Sequence, residues 1–244
     1  MPRFFVTASN IFGGVAYLSA KETDHIRALR IRRGECFTVC DGDGKDYTCR
    51  LTTLTEDGAE AEVIDIAASG AEPSVDCTIF AAYAKGDKLE TVVQKSVELG
   101  AAAVVLYPSA RCVSRPEGAA ALHKTGRLQK IAEEAAKQSG RGRIPCVTSS
   151  PSYESAIAAA AEADLPLFFY EAEKQQSLKD VLANAGGVKT ISIVTGPEGG
   201  FDAEEAAFAV IRGLKSVSLG PRILRCETAP LAALSAVMYE TGNM

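Results

Sequence analysis

Two hydropathy rhythms divide the chain. In the first part, Cys36 to Cys40 is a short apolar run stopped by Asp41-Gly42-Asp43-Gly44, a strong turn signal. Tyr47 to Leu54 then alternates apolar and polar positions, Asp57-Gly58 makes a second turn, and Ala59 to Ile66 alternates again. Period-two runs joined by tight turns predict a hairpin or a small barrel. One short helix, Asp24 to Leu29, interrupts them with a cap candidate at its start. Residues 1 to about 70 therefore read as a β-rich domain, and Ala67 to Ser74, small and polar with Pro73, reads as a linker.

From Val75 onward strand and helix patterns alternate. Cys77 to Ala82 predicts a buried strand, and Leu89, Val92, Val93 and Val97 follow at helical spacing with Gly100 as the stop. Ala103 to Tyr107, Leu167 to Tyr170 and Thr190 to Val194 are further strands. Helices are predicted over Leu128–Gln138, Ser152–Ala161 and Leu178–Ala183. Asp202-x-x-Glu205 forms a capping box for a helix through Ile211, and Thr228 is placed to cap a last helix from Ala229 to Tyr239. Alternating β and α units predict a mostly parallel sheet covered on both faces. The second domain then spans residues 74 to 244.

Candidate chemistry concentrates near the end of that domain. Gly196-Pro197-Glu198-Gly199-Gly200 follows the run Ile191 to Thr195, and Leu219-Gly220-Pro221-Arg222-Ile223-Leu224-Arg225 follows Val217 and Ser218. Glycine permits close approach of backbone to a ligand, and proline fixes the path around it. Two such loops after two strands predict a pocket at the strand ends, where open α/β sheets bind ligands. Neither the dinucleotide nor the P-loop fingerprint is present.

Composition narrows the field. With 47% hydrophobic and 23% charged residues, 244 residues can bury a sizeable core. No apolar run reaches the length of a membrane span, and the start of the chain lacks a signal-peptide core, so a cytoplasmic location is expected. Seven scattered cysteines and two histidines predict free thiols and no metal site. The net charge is −5, but Pro108 to Val147 carries eight Lys/Arg against three acids. A second basic cluster runs from His25 to Arg33. Localised positive charge on an acidic protein is the footprint of a polyanion partner.

Taken in order, several segments resemble one family. Arg3-Phe4-Phe5, His25 through Gly34, Asp41-Gly42, Lys85-Gly86-Asp87-Lys88 and Gln94 to Gly100 are similar to its motifs. So are Arg111 to Arg115, Glu134 to Ser139 through Arg143 and Pro145, and both glycine loops. The chain resembles the small-subunit (16S) ribosomal RNA uridine N3-methyltransferases of the SPOUT superfamily. That resemblance implies an N-terminal PUA-like β-barrel followed by a trefoil-knotted α/β methyltransferase domain, working as a homodimer on 16S rRNA or the small ribosomal subunit. It further implies S-adenosyl-L-methionine held by Thr195, Gly196, Pro197, Glu198, Gly199 and Gly200, by Leu219, Gly220, Ile223, Leu224 and Arg225, and by Tyr170 and Glu171 at the end of the preceding strand.

Arg225 and Glu227 are the catalytic candidates. Arg225 either stabilises charge developing on the uracil, or binds phosphate or braces Glu227; Glu227 either accepts a proton or orients Arg225. Glu198 either bonds cofactor or caps neighbouring amides. RNA is expected to meet Arg3, His25, Arg27 and Arg30 on the first domain and Arg111, Arg115, Arg141 and Arg143 on the second. Cys226 stands where family members often carry Thr, and its thiol is a weaker hydrogen-bond donor. Two other readings remain open: a SPOUT methyltransferase acting on another RNA, and a non-catalytic RNA-binding assembly factor.

Overall fold

A computed structural model describes residues 1–244, which form two compact units. The first comprises Met1–Glu72 with Ala136–Ile144, and the second Pro73–Ala135 with Pro145–Met244. The short 136–144 segment thus packs with the β-rich part of the chain, although it lies far along the sequence.

The first unit starts with β1 (Arg3–Phe5), a single 3-10 turn at Ala8–Asn10, β2 (Ile11–Phe12) and β3 (Val15–Ser19), followed by α1 (Ala20–Ala28). Then come β4 (Cys36–Cys40), β5 (Lys45–Leu54) and β6 (Gly58–Ala68). The strands make one curled sheet, a half-barrel of order β1-β4-β5-β6-β3-β2. Alternation explains its core: Phe37, Val39, Cys49, Leu51, Ala59 and Ala61 turn inward with Phe4 and Leu18, and Ile26 of α1 packs on them. Helix α1 begins four residues before the expected start. Ser19 and Glu22 form its capping box, a signal that the polar sequence Ser19-Ala20-Lys21-Glu22 carries without any hydrophobic periodicity.

The second unit contains β7 (Asp76–Ala82), α2 (Lys88–Glu98), β8 (Ala103–Tyr107), α3 (Gly118–Ser139), β9 (Cys146–Ser149) and α4 (Tyr153–Ala160). The last turn of α3 belongs to the first unit. Next are β10 (Leu165–Phe169), α5 (Leu178–Ala183), β11 (Thr190–Thr195), α6 (Ala203–Ile211), β12 (Lys215–Val217) and α7 (Ala229–Glu240). All six strands run parallel in the order β12-β10-β11-β7-β8-β9. The central strands are buried throughout, as Ile191, Ser192, Ile193, Val194 and Thr195 are, which is why they read as continuous apolar runs.

Two expectations need correction, and one strand was not predicted. Helix α3 starts at Gly118, ten residues before Leu128, because its first turns are largely exposed and alanine-rich and so show no apolar stripe. Strand β9 is an edge strand of four residues, too short for a pattern. Thr228 occupies the position before α7 but has helical backbone and no side-chain cap bond; Pro230 in the first turn removes one amide that a cap would otherwise serve. The capping box at Asp202 and Glu205 is present as read, with Asp202 Oδ1 accepting from the Glu205 amide at 2.8 Å.

Candidate active site

At the carboxyl ends of β10, β11 and β12 the sheet opens on a cavity of about 510 Å³. Phe169, Tyr170 and Glu171 form one wall, Thr195 to Gly200 a second, and Val217 to Gly220 with Arg222 to Cys226 a third. Every residue that the sequence assigns to cofactor contact lines this space, because the three adjacent parallel strands end at the same edge of the sheet. Phe169, Val217, Ser218, Arg222, Cys226 and Ala229 line it too. Arg222 lies inside the second loop already singled out, though not assigned to the cofactor; the others were missed, since strand-end and helix-start residues carry no glycine or proline signal.

The first loop is fixed from several directions. The Tyr107 hydroxyl donates to the Thr195 carbonyl at 2.8 Å from a fully buried position, and the Gly200 amide closes a turn onto the Pro197 carbonyl at 3.0 Å. Glu171 accepts from the Phe201 amide at 3.1 Å. Gly200 has φ +67°, and a Cβ there would collide with the Glu171 carboxylate. Only glycine satisfies both conditions. A Cβ on Gly196 would crowd the Phe201 ring, which packs on Phe168 at 4.3 Å between centroids.

The second loop hangs from β12. The Ser218 amide bonds the Gln176 carbonyl at 2.9 Å, and the Gly220 amide bonds Ser218 Oγ at 3.1 Å. Gly220, at φ +101°, turns the chain toward Arg222. The loop ends where the Thr228 amide donates to the Arg225 carbonyl at 2.8 Å and α7 begins.

Charge is distributed unevenly around the opening. Glu198 Oε1 accepts from the Lys85 amide at 3.0 Å and from Lys88 Nζ at 2.9 Å. Partial burial raises the Glu198 carboxyl, but those two bonds outweigh it and hold it down at about 2. Cys226 Sγ donates to Glu227 Oε2 at 3.2 Å. Burial, with that bond to a carboxylate, pushes the Cys226 thiol up to about 12. It is therefore neutral at physiological pH and no nucleophile. A hydrogen bond from Glu227's own backbone amide to its carboxylate, the thiol and the charges of Lys88 and Arg225 keep the Glu227 carboxyl below its ordinary range, against a smaller desolvation effect. Arg225 itself is exposed at the cavity, while Glu227 lies outside the lining.

The arginines expected to meet RNA separate into two groups. His25, Arg27 and Arg30 are exposed on α1 and the turn after it, beside Arg32 and Arg33. Arg111 is exposed and donates to the Gly199 carbonyl at 3.0 Å, and the exposed Arg115 donates to the Ala110 carbonyl. Arg143 is also exposed. Arg3 and Arg141 do not fit the expectation. Arg3 makes a two-pronged ion pair with Asp46 at 2.6 and 2.8 Å. Arg141 is 3% exposed and grips Glu72 at 2.7 and 3.3 Å. Each guanidinium is committed to a carboxylate in a geometry matched to its fork, so these two arginines hold the first unit together.

A parallel sheet whose strand ends converge on a charged, glycine-lined cavity defines an α/β protein built to bind a small ligand. Comparison with known proteins is specific. Residues 71–238 match the RNA methyltransferase domain and residues 18–64 the RNA methyltransferase PUA domain. A Bacillus subtilis protein named ribosomal RNA small subunit methyltransferase E is 33% identical over 92% of this chain and 90% of its own. Its Aquifex aeolicus namesake is 34% identical over 93% and 95%. The crystal structure of a Neisseria gonorrhoeae protein of that name, bound to S-adenosyl methionine, is 34% identical, with a TM-score of 0.82 over 98% of this chain and 97% of that one. The chain belongs to this family of RNA methyltransferases with a PUA domain.

Proposed function

We propose that this protein transfers a methyl group from S-adenosyl-L-methionine to N3 of a uridine in 16S ribosomal RNA. The observation that carries the reading is the cavity: two glycine loops at the ends of β11 and β12, in a chain related over nearly its whole length to a protein solved with S-adenosyl methionine. The residues present suit that cofactor. About 510 Å³ falls within the usual range of small-molecule sites. The lining offers apolar surface from Phe169, Val217 and Leu224, close backbone at Gly196 and Gly200, and a carboxylate at Glu171.

The bound cofactor supplies an electrophilic methyl group, so the chain's own task is to align the acceptor and ease loss of the uracil N3 proton. Arg225, exposed at the cavity, stabilises negative charge on the uracil as the proton leaves. Glu227, two positions along the chain and held by Lys88 and the Cys226 thiol, adds negative charge near Arg225 and is the candidate to orient it. Glu198 and Glu227 are poor bases, because both carboxyls sit below their ordinary range. Both directions favour stabilising the uracil anion at Arg225, with the N3 proton passing to solvent water, over capturing it on a carboxylate.

Family membership also supports a trefoil-knotted second unit, with α7 packed on β7, β11, α2 and α5 directly after the second loop. Homodimer formation is supported by the exposed Tyr239 and half-buried Leu231, Ala232, Ser235 and Ala236 of α7. His25, Arg27, Arg30, Arg111, Arg115 and Arg143 are the phosphate contacts of this reading. A cytoplasmic setting is consistent with a ribosomal substrate; no helix is long and apolar enough to cross a membrane.

The deciding experiment is transfer of labelled methyl to small ribosomal subunits lacking the modification, and to naked 16S rRNA, followed by nucleoside analysis. N3-methyluridine is the expected product. Cofactor binding without transfer to either would move the search to other RNAs; absence of both would favour an assembly factor.

A further inference from the structure

Lys88 lies in neither glycine loop, yet its ammonium reaches both. On the first turn of α2, Nζ is 2.9 Å from Glu198 Oε1 in the first loop and 3.8 Å from Glu227 Oε2 in the second. It also lies 3.8 Å from Cys226 Sγ. The Lys85 amide, just before the same helix, adds a second anchor on Glu198 at 3.0 Å. Glu198 and Glu227 thus share one cation supplied by the first residue of α2.

We propose that Lys88 is a positioning residue: its ammonium couples the two loops that line the cavity and sets the gap between them. The inference rests on the cofactor-binding reading of that cavity. Neutral substitution of Lys88 removes the one cation that both carboxylates share and leaves Glu198 to the Lys85 amide and its own backbone, and Glu227 to the Cys226 thiol, its own backbone and the charge of Arg225. Repulsion then separates the loops and spoils the pocket for its ligand. Lys88 remains charged throughout, since its bond to Glu198 raises its ammonium above the ordinary value despite some desolvation. It is therefore a clamp and not a proton acceptor.

The test is a double-mutant cycle on the full chain, comparing wild type, K88M, K88R, E198Q and K88M/E198Q. Backbone amide exchange of residues 196–200 and 222–228 is measured without ligand, and S-adenosylmethionine affinity by calorimetry. K88M is expected to speed exchange in both loops and to weaken binding about fivefold to tenfold. K88R should restore both properties, and K88M/E198Q should recover part of the loss by removing one of the opposed charges. Unchanged exchange in K88M, a rise in one loop only, or a double variant no better than K88M would overturn the proposal. If wild type itself binds no S-adenosylmethionine, the functional reading fails, while loop exchange still decides the role of Lys88.

Discussion

At the residue scale, the cavity separates groups that work by charge from those that work by shape. Arg225→Ala should retain S-adenosylmethionine affinity and lose roughly 10²–10³-fold in turnover, the usual effect of deleting one group that stabilises developing charge. Single-turnover methyl transfer beside calorimetry checks this, and parallel loss of both would make Arg225 a binding residue. Gly200→Ala should behave oppositely. Its φ of +67° and the adjacent Glu171 carboxylate leave no room for a methyl, so affinity falls first. Acid sensitivity is also local. Glu198 has a folded value of about 2 against an unfolded one near the ordinary glutamate value of about 4.3. A depressed carboxyl stabilises the fold above its unfolded value, and that contribution disappears as pH falls toward about 2. Urea unfolding from pH 6 down to roughly pH 2 should therefore show the stability gap between wild type and E198Q closing with acid.

Individual elements show which signals local chemistry can carry. The capping box of α6 was legible because Asp202 and Glu205 satisfy amides within one turn of themselves. Asp202→Ala should cost about 0.5–2 kcal/mol, read as a lower Tm. Glu205 does more than cap: its Oε1 also accepts from the Ala110 amide at 2.7 Å. Glu205→Ala is therefore expected to destabilise more than Asp202→Ala. Helix α3 and strand β9 were misread or missed for a common reason. An alanine-rich exposed turn and a four-residue edge strand place too few apolar side chains on one face to make a period.

For the molecule as a whole, charge placement matters more than net charge. Arg111, which touches the first loop at Gly199, and Arg115 are both exposed, and replacing each should reduce the salt dependence of RNA affinity by a slope of about 1. Arg141→Met should act differently. It strands Glu72, which is partly buried and held below its ordinary range: the Arg141 bond and charge and the Gly142 and Arg143 amides outweigh desolvation. Breaking a buried pair from one side costs about 3–5 kcal/mol, so thermal unfolding should shift strongly while the salt slope of RNA binding stays unchanged. An altered salt slope would return Arg141 to the RNA-contact group.

The sequence alone determined whatever depends on near neighbours. A short apolar run marked β4, alternation marked β5 and β6, buried runs marked β7, β8, β10 and β11, and glycine with proline marked both loops. Those glycines were legible because backbone conformation is a local property: Gly200 and Gly220 hold positive φ values that other residues avoid. Only tertiary structure decided which charges meet. Nothing in the chain's order joins Arg141 to Glu72, 69 positions away, or Lys88 to Glu198, 110 positions away. A guanidinium or ammonium looks the same in sequence whether it faces phosphate, a buried carboxylate or the hinge between two loops. Long-range packing fixes its partner, and the partner fixes its role.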